Sequence, residues 1–488
     1  MRTKINPNTA GNALIWVVLV ITIMSLVAAE LLRVVSSKYQ NALHTSIWQE
    51  SLVAAESGID LAVMELRKTL YPAGDVRNDP WAASRGWDPN GFALNHGLTT
   101  IPNAGLAGTP MTVDVTVDAP PEIRDPENNW QYYRIRAIGT MPLTGPARAA
   151  DNKQDTRLRK LSLRADRFTG GFLASQAVDS ARVSRRIEAI VKPVSAFDQA
   201  IMAVGALDLN NSNIVIDSYD SRDPLKSRNG LYDVTRRTER GNIATDGAVL
   251  NAGGAYVYGD VATNAGVSTN IQNITGIERT DFYQDPIPVG TPDWPSINPT
   301  PSVITNESSI AAGPVQGSPA SRYVLSAISL NGNSRQALTI SGNPDGSTSY
   351  VDIYVTGDIS ISGNGQIIIE PGVQARIYVA GNVSIAGNGV ANQSARPTAV
   401  TFYGINPPDP TTSRTFNLGG NTVLSAAVYA PAYDVQINNS GNGGEIFGSF
   451  IGKTVRMVGT THLHYDEALG AGGVINSYAI VSWFEDNR

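Results

Sequence analysis

The sequence predicts an α+β, mainly β protein with three parts: a long N-terminal helix able to cross a membrane, a small antiparallel sheet, and a C-terminal right-handed β-helix (β-solenoid). Residues 13–29, "ALIWVVLVITIMSLVAA", carry no charge, and apolar residues continue beyond them at three- and four-residue steps. Between residues 111 and 194 several stretches alternate apolar and polar residues, the period of half-buried strands. After Ser195, Val/Ile-rich runs are separated by Gly-Asn, Asn-Gly and Asp-Gly turns, and "YVTGDISISGNG" from Tyr354 returns as "YVAGNVSIAGNG" from Tyr378.

Composition narrows the function. The chain has 488 residues, 16% of them charged, with a net charge of −6, so a basic nucleic-acid footprint is absent and no nucleic-acid partner is expected. It contains no cysteine, which removes disulfides, thiolate catalysis and thiolate metal sites but leaves the redox compartment undecided.

The uncharged stretch spans about 26 Å as a helix, the short end of what crosses a bilayer core. Arg2 and Lys4 precede it, so the positive-inside rule keeps the N-terminus in the cytoplasm and sends the body outward. The expected location is a bacterial inner membrane, single pass. The apolar stripe then runs through Leu31, Val34, Tyr39, Leu43, Ile47, Leu52, Ala55, Ile59, Ala62 and Leu66, and Pro72 with Gly74 ends it. A helix over 12–70 follows, with Gly58 its weak point. An ordinary signal anchor followed by a helical stalk is the plainer alternative.

Gly11 followed by "NALIWVVLVITIMSLVAA", and "QESLVAAESGIDLAVMEL" with its Glu56, Ser57 and Gly58, resemble the N-terminal region of type IV pilus minor pilins of the PilX type. "GALDLNNSNIVIDSYDS" and "GSFIGKTVRMVGTTHLHYDEAL" resemble the opening and close of the β-helical domain carried by such proteins. The resemblance implies a leader over 1–11, removed by a prepilin peptidase between Gly11 and Asn12. It also implies other pilins or pseudopilins as partners through the helix, and fibre assembly, priming or surface adhesion as the role. One position departs from the pattern. Where major pilins carry a glutamate at the fifth mature residue, this chain has Trp16, which suits a tip position better than the shaft.

Residues 71–195 are expected to form a small pilin-like head. Its strands are "MTVDVTVDA", "WQYYRIRAIGTM", "RLRKLSLRAD" and "RVSRRIEAIVKPV", with irregular loops around short elements over 71–110. Residues 196–475 are assigned to the β-solenoid, at about 24 residues per coil, with a weaker copy of the repeat from Tyr256. Ile359, Ile361, Val383 and Ile385 would point inward while Asn and Gly fill corners. "QDPIPVGTPDWPSINPTPSV" would run over the outside or join two stacks, and 476–488 would be a cap or a strand returning to the first sheet.

For chemistry, "HLHYDE" places His462 and His464 on one strand face with Asp466 near, residue types competent to hold a divalent metal. Asp217, Asp220 and Asp223 with Arg222 form the best carboxylate cluster for binding or cleaving a surface polysaccharide. Asx turns explain the aspartates at least as well, and a polar last rung is the plainer reading of the histidine strand. The expectation is therefore a structural protein, not an enzyme, with no cofactor and no metal. A membrane-anchored polysaccharide-binding or polysaccharide-cleaving β-helix and a bactofilin-like self-associating solenoid are the alternatives.

Overall fold

A computed structural model of the chain describes residues 7–90, 93–101, 111–125, 130–142, 182–209, 214–264, 266–267, 269, 271, 273–294, 302–313, 320–332, 336–419 and 423–486. The strand expected over 157–166 lies outside them.

One unbroken α-helix runs Pro7–Lys68, roughly 93 Å at 1.5 Å per residue. Arg67 and Lys68 occupy its last turn, where cations oppose the helix dipole. Its two halves meet different surroundings. From Ile15 to Val35 the large apolar side chains are 46% to 69% exposed, and this stretch is long and apolar enough to cross a membrane, as an anchor or a signal sequence does. From Ile47 onward a stripe of Ala54, Ala55, Ile59, Ala62 and Leu66 is buried.

That stripe packs on an antiparallel sheet. Its strands, in spatial order, are Trp87–Asn90, Ala93–Ile101, Met111–Asp118, Tyr133–Pro142, Arg182–Ser195 and Ile475–Asp486. Alternating Val113, Val115, Val117, Ile135, Ala137, Ile187, Ala189 and Val191 form the core with the helix. The first two strands are the regular structure among the loops and short elements expected there, and Pro89 is accommodated because Trp87–Asn90 is an edge strand. The small residues of the helix mark its closest approach. A Cβ on Gly58 would stand 2.6 Å from Val113 Cγ2, and one on Gly139 would overlap the Ser51 carbonyl oxygen.

Near the helix end, Glu65 is buried. Its carboxylate accepts from Lys68 Nζ at 2.6 Å, Arg85 Nε at 3.1 Å and Nη2 at 3.0 Å, and the Trp81 N–H at 2.8 Å. Burial pushes this carboxyl up, but the Arg85, Lys68 and Trp81 donors together outweigh it and hold it below the usual range.

The C-terminal body corrects the expected right-handed β-helix (β-solenoid): eight of its strands form a closed parallel β-barrel. Hydrogen-bonded pairing runs from Ala320–Gly332 through Ser349–Val355, Val373–Val379, Val400–Gly404, Leu424–Asp466, Arg414–Gly419, Val383–Ile385 and Ile359–Gly363 back to Ala320–Gly332. Two long strands turn a corner and close the ring. Ala320–Leu325 pairs with one column and Ile328–Gly332 with the other, and Ala427–Tyr429 and Tyr433–Asn438 do the same at the far side. The 24-residue repeat fixes which strands are neighbours, such as Tyr354 beside Tyr378, but not that the columns are joined.

Chain order differs from stacking order as well. Phe450–Asp466 pairs in parallel with Ile201–Ala203, Leu207–Leu209 and Val215–Tyr219, so the first part of the body lies beyond its last strand. Residues 284–294 of the proline-rich interval lie against this body. The Ile287 N–H donates to Asn476 Oδ1 at 2.8 Å, Tyr429 Oη donates to the Ile287 carbonyl at 2.6 Å, and the Val289 N–H donates to Asn406 Oδ1 at 3.0 Å. Inside, Ile353, Ile377, Phe402 and Val428 stand in register and buried. Ile359, Ile361, Val383 and Ile385 are buried with them.

At the corners, Gly-Asp and Gly-Asn pairs repeat a single device. Asp358 Oδ1 accepts the Asn382 N–H at 2.7 Å, and Asn382 Oδ1 accepts the Thr415 N–H at 3.0 Å. Asn242 and Asp260 act in the same way on Asp260 and Ile277. The preceding glycine leaves no room, since a Cβ on Gly381 would lie 2.5 Å from the Gly357 carbonyl.

Two outcomes are expected. Gly381→Ala should lower stability by about 2 kcal/mol through overpacking against backbone, seen as a reduced thermal midpoint, whereas alanine at open Gly253 should not. For Glu65, a folded pKa below the unfolded one means a contribution complete at neutral pH and lost as pH falls through the lowered value. Glu65→Gln should therefore cost about 3 kcal/mol at pH 7 and remove this part of the acid dependence in a thermal-midpoint series from pH 7 to 3.

Candidate functional site

Parallel register builds the site. Leu424–Asp466 lies beside Val215–Tyr219 with His462 opposite Val215 and His464 opposite Asp217. Leu463 between the histidines is buried in the core, so both imidazoles project from the other face. His464 Nδ1 is 2.5 Å from Asp217 Oδ1, and Asp217 Oδ2 accepts from Tyr232 Oη at 2.7 Å. The Tyr232 ring stacks on the His464 ring with centroids 3.7 Å apart, and Phe447 leans on it from 5.2 Å.

On the solvent side, Glu445 bridges the two histidines. Its Oε2 is 2.7 Å from His464 Nε2 and its Oε1 is 3.3 Å from His462 Nδ1. The side chains of His464 and Asp217 are 4% and 1% exposed, those of His462 and Glu445 35% and 41%. The group is therefore closed beneath and open above. Burial, and after it the Asp217 hydrogen bond, push the Tyr232 phenol well above its ordinary value, which keeps it a donor to Asp217.

The sequence-derived candidates divide. Asp217, His462 and His464 come together here. Asp466 does not join them: its Oδ1 accepts the N–H groups of Ser221 at 3.0 Å and Ala468 at 3.1 Å, capping the short helix Glu467–Ala471. Burial pushes the Asp466 carboxyl up, and the Ser221 and Ala468 donors oppose it. Asp220 is held at both oxygens by Arg222, at 2.9 Å each, and Asp223 accepts the Leu225 N–H at 2.8 Å in an Asx turn. Arg222 also reaches the rim of a cleft of about 870 Å³, but Asp198, Glu239, Lys192 and Arg240 line it with both signs of charge.

Gly11 and Asn12 lie within the long helix. Glu56 and Ser57 are half-buried on it, the Ser57 hydroxyl donating to the Val53 carbonyl at 2.8 Å, and Gly58 is at the sheet contact. Sequence reasoning missed Glu445 and Tyr232. Glu445 precedes the histidines by 17 and 19 residues, one passage around the body, and that passage was the available signal. Tyr232 sits in a loop that has no pattern of its own.

Residues 333–471 match a family described as a domain of unknown function (DUF7305). This span includes Glu445, His462 and His464 but neither Asp217 nor Tyr232. No curated protein matches the chain, and no solved structure does.

Tyr232→Phe removes the donor to a buried carboxylate without changing ring stacking. It should cost about 2 kcal/mol, read as a lower urea midpoint at unchanged slope.

Proposed function

We propose that the chain is a membrane-anchored, pilin-like minor subunit of a type IV pilus or related pseudopilus in a bacterial envelope. In this role it presents its β body outside the inner membrane for fibre assembly, priming or adhesion. The observation that carries this reading is the single helix. Its first half is bare and apolar, and its second half buries a stripe of small residues in the antiparallel sheet without a break between them. A cleaved signal sequence needs no such continuity, whereas a subunit stored in a bilayer and then packed against neighbouring helices does. The edge strand Ile475–Asp486 adds apolar surface beside the helix, with Ile480, Val481, Trp483 and Phe484 each about half exposed or more. Ile480 and Trp483 line a notch with Glu56 and Ile59. Trp16 in place of the pairing carboxylate suits a subunit placed at the fibre tip.

The test is the mature N-terminus, determined by mass spectrometry of the membrane-associated protein from cells with and without prepilin peptidase. A chain starting at Asn12 only when the peptidase is present is the expected result. An intact Met1 or a start near Glu30 in both strains would overturn the reading.

A further inference from the structure

We propose that Glu445, His462 and His464 form a binding site for a divalent transition-metal cation of the zinc class, with Asp217 as the outer carboxylate that orients His464. The site is independent of the pilin-like reading. Both ring nitrogens of His464 face carboxylate oxygens, Nδ1 at 2.5 Å from Asp217 and Nε2 at 2.7 Å from Glu445. An imidazolium donates at both nitrogens; with a metal bound, the ring is neutral and carries one N–H, so one of these hydrogen bonds is kept and the other carboxylate turns to meet the cation.

The surroundings assign the proton and the cation to different sides. Asp217 is buried and fixed by Tyr232 Oη at 2.7 Å, so it takes the Nδ1–H and leaves the Nε2 lone pair directed at Glu445. This is the carboxylate–histidine arrangement that accompanies metal-ligating imidazoles, where the outer carboxylate sets the tautomer and raises ligand basicity. On the Nε2 side, one nitrogen from each histidine and an oxygen of Glu445 lie within 4.8 Å of one another. Two ligands of one tetrahedral zinc are separated by about 3.3 Å, so half-exposed His462 and Glu445 need only small rotations to meet it. Two imidazoles and a carboxylate suit zinc better than calcium or magnesium, which take oxygen ligands. The partial exposure of Glu445 and His462 supplies an entry path and leaves a coordination position for water.

The experiment is calorimetric titration of the full chain in detergent with zinc chloride, with calcium and magnesium chlorides as controls, together with thermal midpoints. His462→Ala, Glu445→Gln and their combination are the variants; buried His464 stays intact so that the fold is not at issue. The parent should bind one zinc per chain and gain thermal stability from it, and neither control ion should bind there. Each single variant should keep the metal-free midpoint of the parent and weaken zinc binding at least about tenfold, and the double variant should abolish it. No zinc binding by the parent, or zinc binding of equal strength in the double variant, would overturn the site.

Discussion

In the parallel body every strand must lie about 4.8 Å from the one it pairs with, N–H to C=O along its whole length. At the corners this spacing leaves no volume between successive backbones, so Gly357 and Gly381, or Gly259 and Gly276, face each other where any side chain would collide. The following Asp or Asn then takes the next strand's free N–H, which hydrogen bonding along the strands does not reach. The same register places His464 beside Asp217. A one-residue slip of Phe450–Asp466 would turn His462 and His464 into the core and bring Leu463 out, while Asp217 kept its own face.

What the sequence disclosed depended on whether the relevant signal was local. The helix was legible because its apolar spacing persists from the uncharged stretch over 13–29 to Leu66, and three antiparallel strands because their residues alternate. Trp87–Asn90 was hidden by proline and asparagine that an edge position tolerates, and Ala93–Ile101, paired on both sides, by Asn95 and Gly97 in its sequence. The copy at Tyr354 and Tyr378 identified neighbouring strands correctly, yet closure into a barrel depends on two strands that bend, Ala320–Gly332 and Leu424–Asp466, and bending leaves no mark in a repeat. In the site, the histidine pair was visible as a motif. Its carboxylates come from one passage around the body and from a strand about 250 residues away, as the 247-residue separation of His464 and Asp217 shows.

The helix and the body meet at more than the sheet. Arg67 Nη2 donates to the Asp285 carbonyl at 2.5 Å, Tyr71 Oη donates to the Asp285 carboxylate at 3.3 Å, and Gly290 lies against Pro72. Residues 285–290, which lie against the barrel, are therefore also the surface on which the helix end rests. Glu65, one turn earlier, holds the loop after the helix through Trp81 and Arg85, so helix, loop and barrel share one polar seam around an otherwise apolar contact.

The entire body enters and leaves the antiparallel sheet through two adjacent strands, with Ser195 opposite Ile475. Topologically it is an excursion at the end of a hairpin. A tensile load drawn from the body toward the helix through this joint runs down both strands together, parallel to their axes. Hydrogen bonds between Arg182–Ser195 and Tyr133–Pro142 then resist in shear, sharing the force, instead of being peeled apart one at a time. The joint is mechanically stiff along the pull, and the two side-by-side crossings also resist twisting, so the body keeps its orientation relative to the helix under tension.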